Sequence, residues 1–486
     1  MKNNLKLAAF LLSAAFCAAE PTAATTDAAR IARVEIGLLP PAHIAGTKFE
    51  PWTIASRMAH YRVPGVSIAV IADGAIAWAR GYGLARAGDA APVTPETLFQ
   101  AASISKPVTA VAALTLVESG RLALDTDVNA TLKSWKIPSA KIADGAPVTL
   151  RELLSHTAGL TIHGFAGYAA DELRPTLAQI LDGTPPANSS AVRIAFKPGT
   201  TWRYSGGGYC VVQQLLIDAT GEDFPTFLRE RVLTPAGMNA STFEQPLPPT
   251  IASRAAAGHR ANGTRIDGDV HIYPELAAAG LWTTPADLAR FALALQRALD
   301  GQSGFFSHTT AETMLAIPLA GSAYGLGIGV KNAGKNLQLS HDGANEGFRC
   351  ALVVYPRLHV GAVVMTNSDS GGAVINETLR AIAREYGWPD YQVVDKTAVP
   401  LVPEAFDDFA GHYSREDVEL RFYRRETHFY VRTPDRQRLE IFPQSDHEFF
   451  SLYSPETFAF QRDSAGRVTH VIRHTAGGVQ LFQRLY

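Results

Sequence analysis

Ser103 and Lys106 are the side chains whose types and spacing most directly suggest covalent chemistry. The segment from Gln100 to Gly120 is almost wholly apolar after Lys106, which predicts a buried helix with this pair in its first turn. Residues three apart share a helix face, so the Ser103 hydroxyl and the Lys106 amine can touch. A serine hydroxyl has to lose its proton before it attacks a carbonyl carbon, and Lys106 is placed to take that proton.

A Ser-x-x-Lys pattern also arises by chance in a long chain, so other segments have to supply partners for it. Tyr204-Ser205-Gly206 begins a glycine-rich turn, and His341-Asp342-Gly343 ends a predicted strand. Tyr204 is a second candidate for the proton, because a neighbouring ammonium favours the phenolate form. The residues leave the choice between Lys106 and Tyr204 open, and we assign the two jointly as a proton-transfer unit.

Composition excludes several classes of function. The chain has 486 residues and a formal net charge of −2, which argues for two or three domains and against a basic nucleic-acid-binding surface. It contains no His-Glu-x-x-His, Cys-x-x-Cys or Gly-x-Ser-x-Gly pattern. We therefore expect no metal site, no cofactor and no nucleic-acid partner.

The first residues predict export. Lys2 and Lys6 precede the apolar run 7–19, and small residues follow it, so residues 1–24 read as a signal peptide of a periplasmic or secreted protein. An uncleaved anchor is the alternative. Removal of this segment takes Cys17 away and leaves Cys210 and Cys350. We expect these two cysteines to be buried free thiols rather than to form a disulfide.

The remaining chain divides by composition into two folded parts. Residues 25–390 place predicted strands at both ends of a mostly helical middle, which indicates one sheet built from distant segments with a helical subdomain inserted. Prolines cluster at residues 388–403, within which 391–403 is a predicted linker. Residues 404–486 carry short alternating segments typical of a small antiparallel barrel or sandwich.

Taken together and in this order, Ser-x-x-Lys, Tyr-Ser-x and His-x-Gly resemble the motifs of the serine β-lactamase and penicillin-binding-protein superfamily, most closely its class C-like branch. The resemblance runs from Trp52 to Trp388, and four further stretches share it: Leu153–Leu160, Pro235–Met238, Ala279–Thr284 and Asp342–Arg349. It implies an antiparallel sheet flanked by helices plus a helical subdomain. The C-terminal part resembles the lipocalin-like β domain appended to many such hydrolases.

The same resemblance assigns roles at the site. It implies that the strand at His341 lines the substrate channel and that Gly343 permits close approach of the chain. The backbone N–H groups of Ser103 and Ala344 would then form the oxyanion hole. Gly206 stands where the family often has Asn, which moves the expectation from β-lactam hydrolysis toward general acyl transfer.

The predicted protein is thus an exported serine hydrolase that forms an acyl-enzyme on Ser103 from a small-molecule or peptide ester or amide. Two alternatives remain: a penicillin or cell-wall binder that does not hydrolyse, and a true class C-like β-lactamase. His156 is expected to be structural, and Glu346 and Arg349 are as well explained by a surface ion pair as by substrate contact.

Overall fold

The computed structural model describes residues 23–433, 438–454, 456–475 and 478–485. The predicted signal peptide and Cys17 lie outside this part, apart from residues 23 and 24. The helices are α1 Ala23–Glu35, α2 Ile54–Tyr61, α3 Ser105–Glu118, α4 Leu150–Leu154, α5 Leu177–Asp182, α6 Gly206–Thr220, α7 Phe224–Leu228, α8 Pro249–Ala252, α9 Leu276–Ala279, α10 Pro285–Leu299, α11 His308–Leu315 and α12 Gly371–Tyr386. Among the described helices, none has the length and apolarity needed to cross a bilayer.

The strands of the first part of the chain form one main sheet and two small ones. They are β1 Ala42–Ile44, β2 Gly65–Ala72, β3 Ala75–Gly83, β4 Phe99–Gln100, β5 Trp282–Thr283, β6 Gly329–Lys331, β7 Gln338–Asn345, β8 Phe348–Tyr355, β9 Val360–Thr366 and β10 Val394–Lys396. The main sheet has the order β3-β2-β9-β8-β7-β6, and every pairing in it is antiparallel.

Helices cover both faces of the main sheet. One core lies between the sheet and α3 and α10, and the other between the sheet and α1, α2 and α12. This explains why β2 is apolar at almost every position: alternate residues enter opposite cores. The predicted flanked antiparallel sheet with helices inserted between its strands is confirmed.

Two predicted elements differ from the structure. The predicted helix at Gln100 begins only at Ser105, because β4 pairs with β5 and a 3-10 helix, Ala102–Ile104, follows it. The apolar, glycine-containing run 324–330 of the sequence also predicts a strand, but the structure has only β6 there, which begins at Gly329. At Gly327 the backbone has φ +100°, and an added Cβ would lie 2.3 Å from Ala110 of α3, so the chain passes too close to that helix for a regular strand.

The C-terminal part is a closed antiparallel barrel. Its strands follow one another around the barrel, and β11 pairs with β18 to close it: β11 Gly411–Arg415, β12 Val418–Arg425, β13 His428–Arg432, β14 Arg438–Pro443, β15 Glu448–Ser451, β16 Thr457–Arg462, β17 Val468–Thr475 and β18 Gly478–Leu485. The predicted small all-β barrel is confirmed. The predicted linker contains β10, which pairs in parallel with β1.

An aromatic contact joins the barrel to the first part of the chain. The Tyr453 ring of the barrel stacks on the Trp52 ring of the first part, with 5.9 Å between the ring centroids. The Arg57 guanidinium, also of the first part, lies 3.9 Å from the centroid of the Trp52 ring. Arg57 also forms a buried ion pair with Glu377 of α12, with Nε 2.8 Å from Oε2. The barrel therefore rests on the α2 and α12 side of the molecule.

Candidate active site

Ser103 and Lys106 are in hydrogen-bond contact. Lys106 Nζ lies 3.0 Å from Ser103 Oγ and donates to the backbone oxygen of Ala278 at 2.7 Å. The Lys106 side chain is buried, whereas Ser103 is half-buried and lines a cavity. Within the described ranges no carboxylate forms an ion pair with Lys106, so its amine is directed at the serine by a carbonyl rather than held by an acid.

The backbone before Ser103 is strained. Ala102 has φ +49°, in the left-handed region that a residue with a Cβ rarely adopts. Such conformations persist only where surrounding contacts enforce them, and they cluster at functional sites. Here the enforcing contacts are the amide of Ala101, which donates to Leu281 O, and the Ser105 hydroxyl, which donates to Ala102 O.

Tyr204 lies over Lys106. Its ring centroid is 4.9 Å from Lys106 Nζ, and the ring packs at 4.2 Å against His156. The next residue, Ser205, is the N-cap of α6 and accepts a hydrogen bond from the Gly208 amide, which fixes the position of Tyr204 just before the helix. In the part of the chain that is described, the Tyr204 hydroxyl has no hydrogen-bond partner, so it is available to a substrate or to Ser103.

His341 is neutral and held by two hydrogen bonds. Its Nδ1–H donates to the carbonyl oxygen of Asp342 at 2.7 Å, since a carbonyl can only accept. Nε2 therefore accepts from the Tyr324 hydroxyl at 2.9 Å. Burial, and next the charge of Lys106, lower the pKa of His341 to about 3. Tyr324 was not predicted as a site residue.

Gly343 lets β7 lie directly against the segment that carries Ser103. A Cβ at this position would lie 2.2 Å from Ala101 O and 2.3 Å from Cys350 Sγ, both of which are too close for any side chain. Strand β6 pairs with β7 only as far as Ser340. Beyond it, the described residues include no strand that covers this edge, so backbone groups near Ala344 face the cavity.

We expect Gly343→Ala to misplace Ser103. The added methyl group would force β7 and residues 101–103 apart, which we expect to lower the unfolding free energy by about 1–3 kcal/mol and kcat/KM by about 10²-fold. Gly304→Ala is the matched control, because its added Cβ lies 3.8 Å from the nearest atom. Urea denaturation and ester hydrolysis measure the two effects, and a Gly343→Ala protein as stable and active as the control would contradict the close contact.

A cavity of about 700 Å³ lies in front of Ser103. The described residues that line it all fall between 103 and 376, so it is built by the first part of the chain. Four aromatic or imidazole side chains that the sequence did not single out contribute to it: His163, Phe165, Trp202 and Tyr324. A Cβ at Gly206 would lie 3.0 Å from the Phe165 ring, so that ring occupies the space where a larger residue 206 would project.

Comparison with known proteins identifies the family. The beta-lactamase family profile matches residues 53–385. The chain belongs to the beta-lactamase family. With a serine and a lysine in contact at its cavity, this family member is a serine hydrolase.

Individual relatives agree with this assignment. Penicillin-binding protein 4 of Amycolatopsis lactamdurans is 26% identical over 74% of this chain and 96% of its own. A D-aminopeptidase of Brucella anthropi is 25% identical, in an alignment that covers 67% of this chain and 60% of the D-aminopeptidase. The octameric penicillin-binding protein homologue from Pyrococcus abyssi has the same fold, with a TM-score of 0.62 at 22% identity over 88% of this chain and 98% of its own.

Other residues weighed from the sequence take structural places in this beta-lactamase-family enzyme. His156 accepts from the Ser205 amide through Nδ1 and packs on Tyr204, and it does not contact Ser103. Glu346 pairs with Arg260, and Arg349 lies 3.0 Å from Asp369 while also lining the cavity.

The two cysteines of the described part are free and buried, as expected from the sequence. Cys350 donates to Ala101 O at 3.1 Å. Burial raises the pKa of both thiols, so neither is poised to react.

We expect His341 to make this enzyme sensitive to acid. Its folded pKa of about 3 is below the value of about 6.5 in an unfolded chain. Below pH 6.5 the unfolded state binds a proton that the folded state does not, so the unfolding free energy falls by up to about 1.4 kcal/mol per pH unit until about pH 3. His341→Gln should flatten this decline between pH 6.5 and 4. Urea denaturation across that range measures it, and equal slopes in the two proteins would contradict the expectation.

Proposed function

We propose that the protein hydrolyses an ester or amide bond through an acyl-enzyme on Ser103. The observation that carries this proposal is the 3.0 Å contact between Ser103 Oγ and Lys106 Nζ at the base of a cavity that can hold a small substrate. A base in contact with a hydroxyl at a cavity wall is the arrangement that nucleophilic acyl transfer requires.

The steps follow from the positions of the groups. The Ser103 hydroxyl transfers its proton to the unit of Lys106 and Tyr204 as Oγ bonds to the substrate carbonyl carbon. The carbonyl oxygen gains negative charge and is stabilised by the backbone N–H groups of Ser103 and Ala344. The same unit returns the proton to the departing alcohol or amine. Water then attacks the acyl carbon and loses a proton to the unit. The unit passes this proton to Ser103 Oγ as the bond between Oγ and the acyl carbon breaks, which releases the acid and restores Ser103.

Gly206 and Phe165 support general acyl transfer over β-lactam hydrolysis. The family's frequent Asn amide is absent at 206, and the Phe165 ring lies where that side chain would project. Among the relatives, the D-aminopeptidase name favours peptide substrates with a D-residue. We therefore expect small esters and D-amino-acid peptides to be better substrates than β-lactams.

A substrate panel tests the proposal. It comprises p-nitrophenyl butyrate, the p-nitroanilides of D- and L-alanine, a D-Ala-D-Ala peptide and nitrocefin, with Ser103→Ala beside the wild type. We expect steady-state turnover of the ester or a D-peptide that disappears in the variant. Stoichiometric labelling without turnover would favour a non-hydrolysing binder, and turnover of nitrocefin above the others would favour a β-lactamase.

We also propose that the protein is exported. The support is the sequence itself, in which two lysines precede an apolar run and small residues. N-terminal sequencing of the protein from the periplasm or medium of an expressing bacterium tests it. A mature chain that begins near Ala19 or Ala24 is expected, and an uncut cytoplasmic protein would contradict it.

A further inference from the structure

The cavity continues around the free edge of β7 to the side of the sheet covered by α12. Asp342 pairs with Ala351 across β7 and β8, and paired residues point to the same face. Ala351 belongs to the core that includes α12, whereas its neighbour Cys350 belongs to the core on the α3 side. Asp342 thus projects to the face opposite Ser103, where Ile375 and Asn376 of α12 also line the cavity. We call this region the α12 side.

Two charged side chains line the α12 side, and an ion pair within the protein neutralises the charge of only one of them. The guanidinium of Arg349 lies 3.0 Å from the carboxylate of Asp369 and also donates to the carbonyl oxygens of Asn345 and Phe348 at 2.7 Å. Its positive charge is therefore already paired within the protein. An anionic substrate group would have to compete with Asp369 for it.

The Asp342 carboxylate, in contrast, is unpaired. It is exposed to the cavity, and over the described ranges it makes no hydrogen bond or ion pair. His341 bonds to the backbone carbonyl oxygen of Asp342 and not to this carboxylate. The surrounding walls limit its hydration and raise its pKa. Tyr391, which follows the C-terminal end of α12, also faces Asp342. Its hydroxyl stays neutral because burial raises the pKa of Tyr391. The α12 side of the cavity consequently carries one uncompensated negative charge.

We propose that Asp342 selects substrates that carry a cationic group, an ammonium or guanidinium, and binds that group on the α12 side. This deepens the proposed function and rests on it. Asp342 lies two residues before Ala344 on an extended strand, about 7 Å along the chain from the proposed oxyanion donor. A cation bound there would be on the same small molecule as the reacting carbonyl. A partly desolvated carboxylate gains more from such a partner than a fully hydrated one does.

Isosteric pairs of substrates that differ only in charge test the proposal on either side of the scissile bond. On the acyl side, the pair is the p-nitrophenyl esters of 4-(trimethylammonio)butyrate and 5,5-dimethylhexanoate. On the leaving-group side, the pair is the butyryl thioesters of thiocholine and 3,3-dimethylbutanethiol. We expect the wild type to favour the cationic member of at least one pair by about tenfold or more in kcat/KM, and Asp342→Asn to abolish that ratio.

Glu346→Gln is the matched control, because Glu346 is an acid of the same segment whose charge Arg260 already pairs. It should leave the charge ratio unchanged. A wild type that hydrolyses the neutral esters without charge preference, or a preference that survives in Asp342→Asn, would overturn this inference while the proposed function stands. An enzyme that turns over the ester or a D-peptide of the substrate panel but none of these four substrates would also overturn this inference alone. Absence of turnover with every substrate, together with no acylation of Ser103, would overturn both.

Discussion

Replacing Ser103 with alanine is expected to reduce kcat/KM for an ester substrate by roughly 10⁴-fold or more. The reason is that the variant has no hydroxyl at the point where Lys106 Nζ and the cavity meet, so no covalent intermediate can form. The fold should be retained, because within the described ranges Ser103 Oγ makes one hydrogen bond, to Lys106, and Lys106 keeps its bond to Ala278 O. We expect the unfolding free energy to change by about 1 kcal/mol or less.

Ser340→Ala is the matched control for this experiment. Ser340 also lines the cavity and also carries a hydroxyl, but no lysine lies against it in the described structure. If the serine in contact with the amine is the nucleophile, the control keeps its activity. Equal losses in the two variants, or a Ser103→Ala protein that still turns over, would contradict the assignment.

Replacing Lys106 with methionine should have the second largest effect, a loss of about 10²–10⁴-fold in kcat. Methionine fills similar volume but cannot accept the Ser103 proton. Lys106 is 2% exposed and has no carboxylate partner in the described part of the chain, so its removal also takes away the positive charge that its protonated amine brings to the site. The pKa of His341, which that charge lowers, should rise.

Stopped-flow kinetics with an activated ester and titration of the His341 ring by NMR measure the two consequences of Lys106→Met. Lys335→Met, at an exposed lysine, is the control for loss of one positive charge. A Lys106→Met enzyme with unchanged kcat would remove Lys106 from the proton-transfer unit. A loss of activity without any shift at His341 would contradict the electrostatic contact between the two residues.

Local sequence patterns predicted the parts of the site that depend on short spacing. Ser103 and Lys106 are three residues apart, so the turn between them brings their side chains together although the α-helix begins two residues after the serine. The alternation of the C-terminal segments similarly predicted a β domain. Strand β11 could not be predicted in this way, because only Tyr413 of its five residues is buried and the segment has no alternating apolar pattern.

Long-range packing determines the rest and leaves little trace in the sequence. The carbonyl that directs Lys106 comes from Ala278, 172 residues away, on a helix of four residues. Tyr324, which fixes the His341 ring, lies in a glycine-rich loop whose path is set by the surface of α3. A backbone acceptor and a loop tyrosine have no characteristic spacing, so neither could be predicted before the fold was known.

The most direct test of the central claim is to trap the acyl-enzyme and locate it. The wild type is mixed with a slowly hydrolysed ester or a fluorophosphonate, quenched with acid, and analysed as an intact protein and after proteolysis by mass spectrometry. We predict one adduct per chain, on the peptide that contains Ser103, and none in Ser103→Ala. An adduct on another residue, or an adduct that persists in Ser103→Ala, would contradict nucleophilic catalysis by Ser103.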